Sequence, residues 1–172
     1  MKHDFWFGTV VGLLLGASIC QPALAQEAVT GAPNPDALFT SADPVLNRNK
    51  QAAYHIVKDL IEAGQWSQAD RWLTPAYHQH NPLAASGRDA VVAFFTQVLK
   101  VRPKPVADKL ATPIVAVLAE GDLVTVVYPR TLKDPKDPTK TYTSTWFDMW
   151  RFKDGKADEH WDPATRDMAG GN

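Results

Sequence analysis

The sequence predicts an α+β domain in which helices come first and an antiparallel sheet follows. In the first half of the chain, apolar residues recur every three or four positions, which is the period of an amphipathic helix. In the second half, apolar and polar residues alternate, and tight-turn signals separate the alternating runs. The sequence shows no internal repeat, so we expect one domain.

The composition is that of an ordinary globular chain. Of the 172 residues, 45% are hydrophobic and 22% are charged, and the formal net charge is −1. This balance gives no electrostatic reason to expect nucleic acid or an anionic membrane as a partner, because both require a basic patch. The single cysteine, Cys20, excludes an intramolecular disulfide.

Residues 1–25 are typical of a secretory signal peptide. Lys2 precedes an almost wholly apolar run, and Ala23-Leu24-Ala25 is a small-x-small cleavage site. We expect cleavage after Ala25, giving a periplasmic or secreted protein without membrane contact. The alternatives are an uncleaved anchor, for which the run is shorter than the roughly 20 residues that a spanning helix needs, and a lipoprotein. Lipidation of Cys20 is disfavoured because Ile19 precedes it, where a small residue is usual.

Residues 26–46 are rich in Pro, Ala, Thr and Asp and have no hydrophobic period, which predicts a flexible arm or linker. The domain is then expected to occupy residues 47–172. Its first helix begins near Asn47, and its apolar positions end at Gly64, a residue that commonly follows a helix.

Two further helices are predicted before the sheet begins. The first is short, starts near Trp66 and stops before Pro75. The second begins after Gly87, presents a broad apolar face and is stopped by Pro103.

Four strands are predicted in the second half. The first two form a hairpin about a Glu-Gly-Asp turn, and the last two form a hairpin about Asp154-Gly155, which is a favoured turn dipeptide. A long polar loop with two prolines separates the hairpins. The strands are expected over residues 114–118, 123–128, 141–152 and 156–162.

The long strand places a carboxylate between two large aromatic side chains. Trp146, Asp148 and Trp150 share one face because side chains alternate along a strand. If helices cover this face, Asp148 is desolvated and becomes a candidate general acid or base. Two alternatives remain: the face is exposed to solvent, or Asp148 is buried in a purely structural hydrogen-bond network.

The returning strand places His160 and Asp162 on one face, and the hairpin sets Asp148 roughly across from His160 or Glu159. An aspartate beside a histidine on a neighbouring strand would form an oriented acid/base pair. The simpler interpretation is a single satisfied histidine.

A third concentration of polar residues lies before the third helix. In an extended segment His78 and His80 point the same way, and they could ligate a metal together with His160 or Asp162. A polar loop at a pocket mouth explains the pattern equally well, so no metal is expected.

Six short motifs occur in a recognisable order. They are Tyr77-His78-Gln79-His80-Asn81-Pro82, Gly87-Arg88-Asp89-Ala90, Phe94-Phe95, Phe147-Asp148-Met149-Trp150-Arg151-Phe152, Asp154-Gly155-Lys156 and Glu159-His160-Trp161-Asp162. Together they resemble the SnoaL-like polyketide cyclase families, and in particular bacterial proteins described as SnoaL-like aldol-condensation enzymes. The resemblance covers about residues 47–165 and is more specific for the fold than for a reaction.

The resemblance implies the NTF2-like fold, a cone of helices packed on a strongly curved, mostly antiparallel sheet that encloses an apolar pocket. It also implies that Trp146, Asp148 and Trp150 face inward. In the SnoaL cyclases an aspartate acts as acid/base in an aldol closure without cofactor or metal, and by motif this role falls on Asp148. We therefore expect no cofactor.

The resemblance further implies the remaining site residues. His160 would sit beside the acid, and His80 would line the pocket mouth or contact the ligand. Tyr77 and Asn81, from the same motif as His80, are expected to bind substrate together with the two tryptophans. Arg88 is expected to anchor the start of the third helix.

Three functions remain open at this point. The first is a cofactor-independent enzyme in which Asp148 removes a proton alpha to a carbonyl group and His160 or His80 polarises or reprotonates the oxygen. Its substrate would be a small, largely apolar or aromatic molecule. The second is a noncatalytic periplasmic binding module. The third is structural, a homodimer through the outer sheet face that carries Phe147 and Met149.

Overall fold

The computed structural model describes residues 26–167. The predicted signal peptide and Cys20 lie outside this range. Within it, no helix is both long enough and apolar enough to cross a membrane.

The described chain forms a curved five-stranded sheet with helices packed against it, which confirms the predicted α+β class. The strand order is β1-β5-β4-β3-β2. β1 runs parallel to β5, and every other neighbouring pair is antiparallel. The strands are β1 Leu73–Gln79, β2 Ala116–Glu120, β3 Leu123–Lys133, β4 Thr141–Lys153 and β5 Lys156–Trp161.

The longest helix crosses the sheet. Helix α1 spans Pro44–His55 and continues as a π-helical segment over Ile56–Glu62. It begins at Pro44 because the Asp43 side chain accepts hydrogen bonds from the N–H groups of Val45 and Leu46, at 2.9 Å each. The helix contacts β2, β3 and β5 and so covers the concave face.

Shorter helical segments complete this layer. A 3-10 turn leads into α2, and α3 continues as a π-helical segment. Their ranges are Trp66–Gln68 for the turn, Ala69–Trp72 for α2, Arg88–Ala93 for α3 and Phe94–Val98 for the π-helical segment. Gly64 separates them from α1 with a φ of +67°, and a Cβ there would lie 2.8 Å from Val101 Cγ1.

Strand β1 differs from the prediction, which ended a helix before Pro75 and placed no strand there. The structure continues directly from α2 into β1 at Leu73. Pro75 is tolerated because β1 is an edge strand. The strand is irregular, with a register shift between Leu73 and His78 and a positive φ at Tyr77. The proline and this irregularity hide its period in the sequence.

The segment 26–46 is packed onto the domain and is not the flexible arm that the sequence suggested. It contains a 3-10 turn over Asp36–Phe39, and Phe39 is 0% exposed within the core. The Tyr54 hydroxyl donates a hydrogen bond to Asp36 Oδ1 at 2.7 Å. The buried Phe39 side chain and hydrogen bonds such as that from Ala32 N–H to the Ile114 carbonyl hold a segment that has no hydrophobic period.

We expect the substitution Phe39→Ala to lower the free energy of unfolding by about 3–5 kcal/mol, because it leaves a cavity in the core. Val98→Ala is the matched control: Val98 is 66% exposed, and its loss should change stability by less than about 0.5 kcal/mol. Urea denaturation followed by circular dichroism measures both. Equal effects of the two substitutions would show that the segment is not part of the core.

Candidate functional site

A pocket lies between the helical layer and the concave face of the sheet. It encloses about 790 Å³, its open mouth included. Most of its wall is apolar or aromatic, and its polar groups gather at one end, which is the usual character of a small-molecule site. The polar lining side chains are Gln79, Asn81, Asp148, His160 and Asp162. We call this cavity the inner pocket.

Asp148 reaches the inner pocket because of strand alternation. It pairs with Val126 of β3, so it shares the concave face with Trp150, which is only 1% exposed. Asp148 itself is 9% exposed. The structure therefore places Trp146, Asp148 and Trp150 inward, and all three line the pocket.

One oxygen of Asp148 makes two polar contacts. The indole Nε1–H of Trp146 donates to Oδ1 at 3.1 Å, and Nε2 of His160 lies 3.3 Å from the same oxygen. The register of β4 against β5 produces the second contact, since Trp150 pairs with His160. The buried carboxyl and imidazole groups thus form a direct pair.

Gln79 determines where the protons of this pair lie. Its Oε1 accepts from the backbone N–H of Asn81 at 3.1 Å, which identifies that atom as the oxygen. His160 Nδ1 lies 2.7 Å from the same Oε1 and must therefore carry a proton. The contact between His160 Nε2 and Asp148 then holds one further proton, on either the ring nitrogen or the carboxyl. This is the proton that the pair can exchange.

Asn81 and Asp162 close the polar end of the pocket. The Asn81 amide donates to Asp162 Oδ2 at 2.7 Å, and the N–H of Ala164 donates to Asp162 Oδ1 at 2.9 Å. Asp148, His160 and Asp162 offer ligand atoms that all lie within 4.8 Å of one another. These three residues are the ones that could hold a cation here, and in the structure each is engaged in hydrogen bonds.

Tyr77 lies below the acid/base pair. It is buried, and its hydroxyl accepts a hydrogen bond from Trp150 Nε1–H at 3.1 Å. Burial raises the pKa of Tyr77 above its usual value, as do the nearby charges of Asp148 and Asp162. The hydroxyl is therefore neutral and orients the indole that forms the pocket floor.

His80 lies away from the inner pocket, in contrast to its expected position at the mouth. Its Nε2 lies 2.8 Å from Glu159 Oε1, and its ring stacks on Trp161 on the opposite face of the sheet. This hydrogen bond and Arg151 together hold the pKa of Glu159 below its ordinary range. The alternative that the sequence left open, a metal held by His78 and His80 with His160 or Asp162, is therefore not assembled among the described residues.

Alternation along β1 explains this placement. His78 and His80 do point the same way, as predicted, but that way is outward, and the residue between them, Gln79, points inward. Gln79 is a site residue that the sequence analysis missed. The spacing of the two histidines could have identified it, because a residue between two outward-pointing side chains of a strand points inward.

A second opening reaches the other side of Asp148. It encloses about 710 Å³ including its wide mouth, and we call it the side cleft. Its wall is formed by Ile61, Thr112, Tyr128, Pro129, Arg130, Trp146 and Asp148. Ile61, Trp146 and Asp148 line the inner pocket as well, so the two spaces meet at the acid.

Tyr128 is the other site residue that the sequence analysis missed. Its hydroxyl is buried beside the carboxyl group of Asp148 and makes no well-formed hydrogen bond in the described part of the chain. Burial, the charge of Asp148 and the contact with its carboxyl group all raise the pKa of Tyr128 well above its ordinary value. A neutral phenol therefore faces the side cleft next to the carboxyl group.

The helices, the curved sheet and the aromatic pocket between them form the NTF2-like fold. Residues 55–160 match the profile of the SnoaL-like domain. This is more than half of the sequence, and the chain belongs to that family. The resemblance found in the motifs, and the fold that it implies, are confirmed.

Two solved structures share this fold. A candidate SnoaL-like polyketide cyclase from Jannaschia sp. is 17% identical, with 72% of this chain and 91% of that chain covered and a TM-score of 0.51. An NTF2-like protein of unknown function from Burkholderia pseudomallei is also 17% identical, with 71% and 94% covered and a TM-score of 0.50. A comparison with curated proteins gave no match.

We expect Tyr77→Phe to cost about 1–3 kcal/mol of stability at neutral pH, because it leaves the buried indole N–H of Trp150 without an acceptor. The folded-state pKa of Tyr77 lies above the unfolded value of about 10. The neutral Tyr77 hydroxyl therefore makes its full contribution to the free energy of unfolding below pH of about 10, and this contribution is lost as the pH rises through the folded-state pKa.

The free energy of unfolding of the variant should accordingly fall less steeply than that of the wild type above pH of about 10. It still falls in both proteins, because Tyr54 and Tyr128 also have raised pKa values. Urea titrations across the alkaline range measure this. Tyr142→Phe, on the exposed end of β4, is the matched control. Identical alkaline slopes for Tyr77→Phe and the wild type would contradict the assignment.

Proposed function

We propose that the protein binds a small, largely apolar carbonyl compound in the inner pocket and carries out cofactor-independent acid/base chemistry on it. The observation that supports this is the buried contact of Asp148 with His160, which holds one exchangeable proton at the end of an aromatic cavity. An acid and a base in one hydrogen-bonded pair are what proton transfer at a carbon next to a carbonyl requires.

The chemistry is a proton relay. With the proton on His160, the Asp148 carboxylate takes a proton from the carbon alpha to the carbonyl, and the C–H electron pair moves into an enolate. The enolate is then reprotonated at another carbon by the pair, which gives isomerisation. Alternatively it attacks a second carbonyl carbon, and the alkoxide that forms takes the proton back from Asp148, which gives the aldol product and restores the carboxylate. Trp146 and Gln79 act as positioning residues, because they fix the carboxyl oxygen and the imidazole ring.

The alternative is noncatalytic binding of such a molecule. It is favoured by the completeness of the hydrogen bonds at His160 and Asp162, which a static recognition site also needs. In that case Asp148 and His160 would only bind the carbonyl or hydroxyl group of the ligand. The same pocket serves both functions, and turnover separates them.

Export completes the proposal. Residues 1–25 have the composition of a cleaved signal peptide, so the mature chain would begin at Gln26 in the periplasm or outside the cell. The structure is compatible with this start, since the Gln26 side chain donates to the Thr143 carbonyl of β4 at 2.8 Å.

We also propose that the protein is a homodimer through the convex face of the sheet. Leu118 is 59% exposed and Phe147 is 43% exposed on this face, with Met149 beside them. Large apolar side chains that face water on one face of a sheet favour association with another surface. A second copy of the same face would cover them.

Native mass spectrometry of the exported protein tests binding, export and assembly together. We expect the mass of a subunit whose chain begins at Gln26, and a dimer at micromolar concentration. We also expect an organic ligand that is released on denaturation. A mass that includes residues 1–25 would contradict cleavage, and a monomer would contradict the dimer. A bound metal instead of an organic mass would identify Asp148, His160 and Asp162 as a cation site.

Exchange of the methyl protons of acetophenone in deuterium oxide, followed by NMR, tests catalysis. We expect Asp148→Asn to lower the enzyme-dependent exchange rate by about a hundredfold or more, because the general base is lost. Asp154→Asn, at the distant hairpin turn, is the matched control and should leave the rate unchanged. If Asp148→Asn exchanges acetophenone as fast as the wild type, the acid/base mechanism is wrong and the binding function remains.

A further inference from the structure

The side cleft carries a positive charge that the mechanism above does not use. Arg130 lies on the concave face of β3, paired with Ser144, and its guanidinium sits 4.8 Å from the centre of the Trp146 ring. This stacking holds the arginine at the cleft wall. Among residues 26–167 no carboxylate lies within ion-pair distance of it, whereas Arg151 on the other face pairs with both Asp122 and Glu159.

The carboxylates near the cleft are already engaged. Asp148 shares its proton with His160. Glu62 accepts the N–H of Ala111 and both the N–H and the hydroxyl of Thr112, at 2.8–3.1 Å. The guanidinium of Arg130 is consequently available to a group that enters the cleft from outside.

Tyr128 provides a second, independent observation. Its buried hydroxyl lies beside the Asp148 carboxyl group but makes no well-formed hydrogen bond in the described chain, and an unsatisfied buried hydroxyl is costly. Tyr128 lies two residues before Arg130 on β3, on the same face, and pairs with Trp146. A phenol donor and a guanidinium on one wall are a combination that binds a carboxylate oxygen well.

We propose that the side cleft is a subsite for the carboxylate of the ligand, bound by the guanidinium of Arg130 and the hydroxyl of Tyr128. This rests on the proposed function and narrows its ligand to an aromatic or alicyclic keto acid. The ring fills the inner pocket, the carboxylate enters the side cleft, and the carbonyl group lies between them at Asp148, where the two spaces meet. A neutral carbonyl compound would bind without the second anchor.

Isothermal titration with para-acetylbenzoate and its methyl ester tests the subsite, because the two probes differ in charge and share the ring and ketone. We expect the wild type to bind the acid roughly tenfold or more tightly than the ester. Arg130→Gln should abolish this preference and change the affinity for the ester by less than about twofold. Tyr128→Phe should lower the affinity for the acid alone, and to a smaller extent.

Two further variants keep the result interpretable. Lys133→Gln removes the same charge from the exposed end of β3 and should leave the preference intact. Arg130→Lys keeps the charge without the planar donor fork and should retain part of the preference. Circular dichroism of each variant checks that it folds.

The outcomes separate the two proposals. If the wild type binds acid and ester equally, or if Lys133→Gln reduces the preference as much as Arg130→Gln does, the subsite is wrong while the carbonyl pocket stands. If neither probe binds, the proposed function fails, and the subsite that rests on it fails as well.

Discussion

The site depends on one constraint, the register of β4 between β3 and β5. This register sets Asp148 beside Val126 and places Trp150 opposite His160, so the carboxyl and the imidazole meet on the concave face. A slip of one residue would turn Asp148 and both tryptophans toward solvent. The tight Asp154-Gly155 turn joins β4 to β5, and together with the buried side chains of the core it fixes the register and so the position of the acid/base pair.

The surroundings of the pair explain how a charged group is tolerated in an aromatic cavity. Asp148 accepts from Trp146 and contacts His160, and His160 in turn donates to Gln79. Burial of an unpaired charge would be expensive, whereas a pair that shares a proton keeps its net charge low. Gln79 lies on β1, the irregular edge strand that the sequence analysis did not predict. The strand that was hardest to predict is therefore the one that orients the imidazole ring of His160.

Much of the fold could be predicted from the sequence, because the periods of α1, β3, β4 and β5 are strong and their turn signals are clear. The inward face of β4 followed from alternation together with a family resemblance. Gln79 was not predicted because its strand, β1, contains a proline and has no clear period. Tyr128 was not predicted because a single tyrosine in an apolar strand is typical of an ordinary core residue. His80 was predicted on the wrong side, because strand alternation predicts that two histidines share a direction but does not say which direction faces the pocket.

The common wall of the two cavities has an evolutionary consequence. Only Ile61, Trp146 and Asp148 are shared, while the helices line the inner pocket and β3 lines the side cleft. Replacements on the helices can therefore change the accepted ring, and replacements near the end of β3 can change the accepted head group, without disturbing the acid. A scaffold arranged in this way can diversify its ligands in two independent directions while one carboxyl group stays in place.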